Sequence, residues 1–294
     1  MFLPALGYRF GIYFIFFSFY RVIILILRVI LKIYSLNTLL RKNINILFEF
    51  FTKKNKTSAL DFSDVGVDIH SHLIPGIDDG AKTIEDSLIL IKKIQELGFK
   101  EIITTPHIYS DYYPNTSAII LNGLEKVRAA LKENNIDIPL KAASEYYLDE
   151  HFETLLNAND ILTLDGKHIL VEMSFFGAPP QLFQYLFKIQ TKGYKPVLAH
   201  PERYSFYEGD LKKYEALKEA GCLFQINALS ISGYYGPIVQ RDAQKLLKAG
   251  MIDLIGTDIH HERHAEMLKK SLNSAEMQKL LSNIKINNSL FSVN

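Results

Sequence analysis

A single cysteine, Cys222, serves the whole 294-residue chain. No intrachain disulfide can form, and a reducing compartment is the simpler setting. Cys222 follows Gly221 and opens the apolar run Leu223-Phe224-Gln225-Ile226, the place of a small buried hydrophobe. The position six residues later is Ala228 rather than arginine, which excludes a cysteine-nucleophile phosphatase loop. An apolar stretch of membrane-spanning length is also missing. Phe10 to Tyr20 supplies 11 residues, six more follow Arg21, and three follow Arg28 before Lys32. A spanning helix needs about 20 such residues, and an arginine near its centre costs roughly 2.5–3.5 kcal/mol. No small-x-small cleavage site follows, so the stretch is not a secretory signal. Net charge is nearly absent at +1, but the sum hides an asymmetry. Residues 1–58 carry nine basic side chains against Glu49, leaving 24 basic and 31 acidic residues beyond them. An acidic body excludes a nucleic-acid binder and suits one that holds several divalent cations.

Residues 1–51 are expected to form an apolar, basic N-terminal helical segment. Arg21, Arg28 and Lys32 fall on one helical stripe. Two readings stand: a membrane-associated helix, or an extension without a part in function. In the first, Lys32, Arg41, Lys42, Lys53, Lys54 and Lys56 flank the C-terminal end of the segment. The positive-inside rule then keeps the body in the cytoplasm, at the inner face of the membrane. A polar, lysine-rich linker is expected at 52–64 and one catalytic-type domain at 65–294.

From residue 65 the chain keeps one rhythm. Seven apolar runs, near 65–70, 101–105, 139–143, 168–171, 196–199, 223–226 and 252–255, each end in histidine, a carboxylate or a small polar residue. Helical stretches alternate with them. One starts at a Thr83-x-x-Asp86 cap, others lie near 117–134 and 181–192, and a last one covers 262–284. The Asn/Ser-rich tail beyond it is expected to fray. Four joins read helix–glycine–strand, at Gly98, Gly193, Gly221 and Gly250. This βα alternation predicts an α/β fold with a parallel sheet able to curl into a barrel. Chemistry in such barrels sits at the C-terminal strand ends.

Those ends carry His70, His72, His107, Glu145, Glu172, His200, Asp258 and His260, and the Asp78-Asp79-Gly80 turn adds Asp79. The pair in Asp68-Ile69-His70-Ser71-His72 is spaced i, i+2, which on an extended strand puts both imidazoles on one face. Histidines and carboxylates without thiolate suit Mn, Fe or Zn in an open catalytic site. Nine candidate ligands exceed the needs of one ion, so two or three are expected. Such sites activate water and clamp the oxygens of a displacement. Arg203, three residues beyond His200, and Arg263, five beyond Asp258, could act as rim clamps for phosphate. His151, His168, His261 and His264 read as surface or packing residues.

Asp-Ile-His-Ser-His, the Asp-Asp-Gly loop, Thr-Thr-Pro-His107, Ser-Glu145-Tyr-Tyr, His200-Pro-Glu-Arg-Tyr and Thr-Asp258-Ile-His260 resemble the PHP (polymerase and histidinol phosphatase) superfamily. Within it they are most similar to the manganese-dependent tyrosine phosphatases of bacterial capsule and exopolysaccharide operons. The resemblance runs from about Val65 to Arg263 and implies a distorted seven-stranded (β/α)7 TIM-like barrel with a three-metal cluster. It assigns His70, His72, Glu145 and Asp258 to one Mn²⁺, and Asp79, His107 and His260 to a second. Glu145, Glu172 and His200 are assigned to a third, with Glu145 bridging. Arg203 and Arg263 would bind phosphate, although Arg263 follows His260 more closely than is usual in the family. The implied partner is a phosphotyrosine protein, a membrane-bound tyrosine kinase of polysaccharide export. Homo-oligomer formation stays open. Two alternatives remain: a small-molecule phosphomonoesterase of the histidinol-phosphatase type, and a non-catalytic, metal-stabilised membrane adaptor.

Overall fold

The structure, a computed structural model, describes residues 61–207, 209–283 and 286–292. The chain divides into two compact units, Met1–Ser58 and Ala59–Asn294, and the description below concerns the second. The expected N-terminal helical segment lies outside the described residues. Among these, no helix is long and apolar enough to cross a membrane.

Among the described residues, nine short strands run parallel to their neighbours. They are β1 Val67–Asp68, β2 Glu101–Thr104, β3 His107–Ile108, β4 Leu140–Ala142 and β5 Glu145–Tyr147, then β6 His168–Glu172, β7 Lys195–Ala199, β8 Leu223–Asn227 and β9 Leu254–Gly256. One sheet has the order β1-β2-β4 and the other β3-β5-β6-β7-β8-β9. The count differs from the seven runs of the sequence because two of those runs are interrupted. Thr105-Pro106 separates β2 from β3, and Ala143-Ser144 separates β4 from β5. Pro106 has no N–H to give to a ladder, and its carbonyl instead accepts from Glu145 N at 3.1 Å and Ser144 Oγ at 2.8 Å. The break hands the strand from one sheet to the other just where His107 and Glu145 must turn toward the site.

Alternating side chains build two apolar cores on opposite faces of the strands. Ile102, Ile169 and Ile255 pack under the helices, whereas their neighbours Ile103, Leu170 and Leu254 join Val67, Ile69 and Val197 on the other face. The helix Ile84–Glu96 begins at the expected capping box, with Thr83 accepting from Asp86 N and Asp86 accepting from Thr83 N. All four glycine joins have positive φ, between 68° and 103°, which lets each helix end and the chain reverse into a strand. The last helix is two, Glu262–Ser271 and Ala275–Asn283.

The tail does not fray at once. Asn288–Phe291 forms a 3₁₀ turn in which Asn288 and Phe291 are buried. Asn288 Nδ2 donates to Val67 O and Ile255 O, and its Oδ1 accepts from Ile255 N. One side chain thus joins β1 to β9. Asn288→Ala strands three backbone groups in an apolar setting and is expected to cost about 2–4 kcal/mol, read as a lower midpoint in chemical denaturation.

Candidate metal centre

Past β1 the chain stays extended through His70 and His72, held on both sides. Asp258 N donates to His70 O at 2.7 Å, His72 N to Ile259 O at 3.0 Å, and Thr105 N to Ser71 O at 2.7 Å. Gly80 lies against this stretch so closely that a Cβ there would sit 2.2 Å from His72 O. His200 and Asp258 adopt left-handed backbone, with φ of 35° and 51°. For non-glycine residues this costs on the order of 1–3 kcal/mol, a strain found at functional sites.

The nine donor residues converge. His70 Nε2, His72 Nε2, Glu145 Oε2 and Asp258 Oδ1 stand 3.1–3.5 Å from one another along every edge measured. Ligands about 2.1 Å from one ion are separated by roughly 3–3.5 Å, the spacing of His70, His72 and Asp258 here. On the outer side Asp79 Oδ1 lies 3.4 Å from His260 Nε2 and 3.5 Å from His107 Nε2. On the inner side His107 Nδ1 lies 3.0 Å from Glu172 Oε1, and His200 Nε2 lies 3.0 Å from Glu145 Oε1. The donors form four overlapping sets: His72, Asp79, His107, His260; His70, His72, Asp258; His70, Glu145, His200; and His107, Glu145, Glu172. Glu172 therefore joins His107 rather than His200, a partition different from the one the resemblance implies.

A second layer of side chains aims these donors. His70 Nδ1 bonds Gln225 Oε1 at 2.6 Å, His72 Nδ1 bonds Asp78 Oδ2 at 2.9 Å, and His260 Nδ1 bonds Asp258 O at 2.9 Å. Gln225 is itself oriented, its Nε2 donating to Ile226 O and Asn227 Oδ1. These acceptors put the proton on Nδ1 and leave each Nε2 bare toward the centre. Two imidazole lone pairs then face each other at 3.4 Å beside two carboxylate oxygens. Such an arrangement repels unless a metal ion or added protons lie among them. Glu145 Oε2 is buried and makes no hydrogen bond, although three histidine nitrogens stand within 3.5 Å of it. The donor set fits divalent ions.

Charge follows the same logic. Burial alone would raise the Glu145 and Asp258 carboxyls, but the surrounding histidines, His70 foremost, hold both well below the usual range. Burial pushes Asp68 up to about 6 against its bonds from Thr257, whose N and Oγ1 both donate to it.

Arg203 reaches the same centre. Its Nη1 donates to Asp258 Oδ2 at 3.0 Å, and it lines a cavity of about 280 Å³ with Asp79, His107, Glu172, His200 and His260. Arg263 does not line that cavity. It is exposed at the start of Glu262–Ser271, whose inner face carries His264, Ala265 and Leu268, so its side chain is turned away. His261 and His264, read from sequence as surface or packing residues, do line it, and His264 Nδ1 accepts from His260 N. Phe175 and Tyr235 also form its wall and carried no signal in the sequence.

Residues 66–290 match the family described as capsular polysaccharide synthesis, CpsB/CapC. The chain is 30% identical over 196 residues to the tyrosine-protein phosphatase YwqE of Bacillus subtilis (strain 168), covering 66% of this chain and 77% of that protein. It is 28% identical over 201 residues to the tyrosine-protein phosphatase CpsB of Streptococcus pneumoniae, covering 66% and 83%. A solved structure from the pair YwqE and CpsB, described as unique metal-dependent tyrosine phosphatases, superposes with a TM-score of 0.63 at 27% identity. That likeness covers 75% of this chain and 96% of the other. With residues 66–290 matched to the family, the chain belongs to the CpsB/CapC family of capsular polysaccharide synthesis.

Proposed function

We propose that this chain is a Mn²⁺-dependent protein-tyrosine phosphatase acting in capsule or exopolysaccharide synthesis. The observation that carries the reading is nine converging His and carboxylate donors beside Arg203 at the wall of one cavity. When bound, the ions supply Lewis acidity, activating water and offsetting charge on phosphoryl oxygens. His70, His72, Glu145 and Asp258 would hold one ion, and Asp79, His107, Glu172, His200 and His260 the others. Arg203 presents a permanent cation to the phosphoryl group while Asp258 fixes its position. Tyrosinate, with a pKa near 10, leaves with little help from a general acid, in keeping with a cavity wall rich in ligand-type side chains.

The reading includes a distorted seven-position barrel over 65–294, in which β2 with β3 and β4 with β5 each count as one broken strand. The Ser71–Ile259 bridge, past the ends of β1 and β9, and the Asn288 bonds between those two strands support closure. A phosphotyrosine-bearing membrane kinase is the proposed partner, named for the family's capsule context.

The full chain, stripped with chelator and resupplied with Mn²⁺, is expected to release phosphate from a phosphotyrosine peptide only when metal is present. Its kcat/KM should exceed that for histidinol phosphate. A higher kcat/KM for the small ester would move the reading to the small-molecule phosphatases, and metal loading without any turnover would exclude catalysis.

A further inference from the structure

Arg203 lies over two aromatic rings. Its guanidinium carbon lies 4.8 Å from the Phe175 ring centroid and 4.4 Å from that of Tyr235. Such contacts leave the N–H groups in the plane of the guanidinium available for hydrogen bonds. Asp258 Oδ2 takes one of them and is the one acceptor the Arg203 guanidinium meets among the described residues. The cavity lies beside the rest.

Tyr235 supplies more than a ring. Its hydroxyl oxygen is buried, yet it has no hydrogen-bond partner among the described residues. A buried hydroxyl without a partner forfeits its hydration with no return, and a phenylalanine would clamp Arg203 without that loss. Tyr235 also lines the cavity together with Arg203, Asp258 and His260. A phenolic O–H is a donor at neutral pH. No cavity carboxylate among the described residues accepts from the Tyr235 hydroxyl, so a ligand that satisfies a phenol and a guanidinium together brings its own acceptor oxygens. A tetrahedral oxyanion has enough for both.

We propose that Tyr235 is a substrate-binding residue of the phosphate subsite. Its hydroxyl donates to a phosphoryl oxygen, while its ring, with Phe175, presents the Arg203 edge to the same group. The assignment rests on the phosphatase reading and deepens it. Tyr235 stands between Gly233 and Gly236, both at positive φ, in the turn that leads into the helix Pro237–Lys248. That turn, rather than a strand end, delivers it to the centre, 32 positions beyond Arg203 in the chain.

The test compares Tyr235→Phe, which keeps the clamp and loses the hydroxyl, with Tyr235→Leu, which loses both. Full-length, Mn²⁺-loaded protein is titrated with inorganic phosphate by calorimetry, with metal content and melting temperature measured alongside. Tyr235→Phe is expected to bind phosphate roughly tenfold or more weakly, the size of one hydrogen bond to a charged group, at unchanged metal content and melting temperature. Tyr235→Leu should be weaker again. A Phe variant that binds phosphate like the wild type overturns the hydroxyl's role, and equal losses in both variants overturn the clamp. Metal-loaded wild type that binds no phosphate overturns the subsite. Wild type that binds phosphate through Tyr235 but turns over no phosphotyrosine peptide upholds the subsite and sinks only the phosphatase reading.

Discussion

Glu145→Gln lowers phosphotyrosine-peptide turnover by at least about a thousandfold, a loss of roughly 4 kcal/mol in transition-state stabilisation, and reduces bound metal. Glu145 is shared more widely than any other donor. Its Oε2 stands 3.1 Å from His70 Nε2, 3.5 Å from His72 Nε2 and 3.2 Å from His107 Nδ1, while Oε1 stands 3.0 Å from His200 Nε2. It belongs to two of the four donor sets, and His70 and His107 tie it to the remaining two. Glutamine keeps the shape but removes the charge and turns an amide NH₂ toward bare imidazole nitrogens, where it cannot act as a ligand. Even outer partners that merely orient ligands are worth about 10–100-fold in metal affinity or activity, so a shared ligand should be worth more. Elemental analysis counts the ions per chain, phosphate release gives kcat, and circular dichroism checks the fold. Full metal content with unimpaired kcat in the variant would remove Glu145 from the centre.

Chelation makes the stability of the chain strongly pH-dependent. Without metal, burial alone would depress the His107 imidazole, but Glu172 and Glu145 outweigh it and raise it to about 9. His70 and His72 are raised as well, against their burial, by Glu145 and Asp258 for the first and by Asp78 and Asp258 for the second. Between about pH 6.5, the usual value for histidine, and pH 9 the folded chain therefore binds more protons than the unfolded one. Stability is complete below that window and is lost as pH rises through it. His107 alone contributes on the order of 3 kcal/mol, or roughly 5–10 °C in melting temperature for a domain of this size. Metal reverses the trend, since ligands must be deprotonated to bind it and binding releases those protons. The gap in melting temperature between Mn²⁺-loaded and chelated protein should widen steadily from pH 6.5 to 9. A chelated protein that melts at the same temperature across that range would show that the histidines are not held protonated by the carboxylates.

The two expectations draw on different layers of the site, and those layers were not equally legible. His70 and His72 could be placed on one face from their spacing, because alternation along an extended chain is local geometry. Glu172 at the end of β6 and Asp258 just past β9 followed the same rule, as did the Thr83 cap. The layer behind them could not be read. Gln225 lies 155 residues from the His70 it orients, and Asp258 lies 55 from the Arg203 it holds. Asp78 looked like turn chemistry, and it is a turn residue, with its Oδ1 accepting from Gly80 N. Its other oxygen faces His72, which only packing could arrange. Arg263, within Glu262–Ser271, stands exposed and outside the cavity wall, a placement its spacing from Asp258 could not show.

The chain's own order of residues determined the βα rhythm, the capped helices and the kinds of donor at the strand ends, because each rests on contacts within a few positions. Tertiary structure alone decided that Pro106 and Ser144 break two strands between sheets and that Glu172 pairs with His107. It also decided that the Phe175 and Tyr235 rings lie against Arg203. Each of these depends on which distant segments meet, and that is settled by the packing of two cores on opposite faces of the strands rather than by any local pattern.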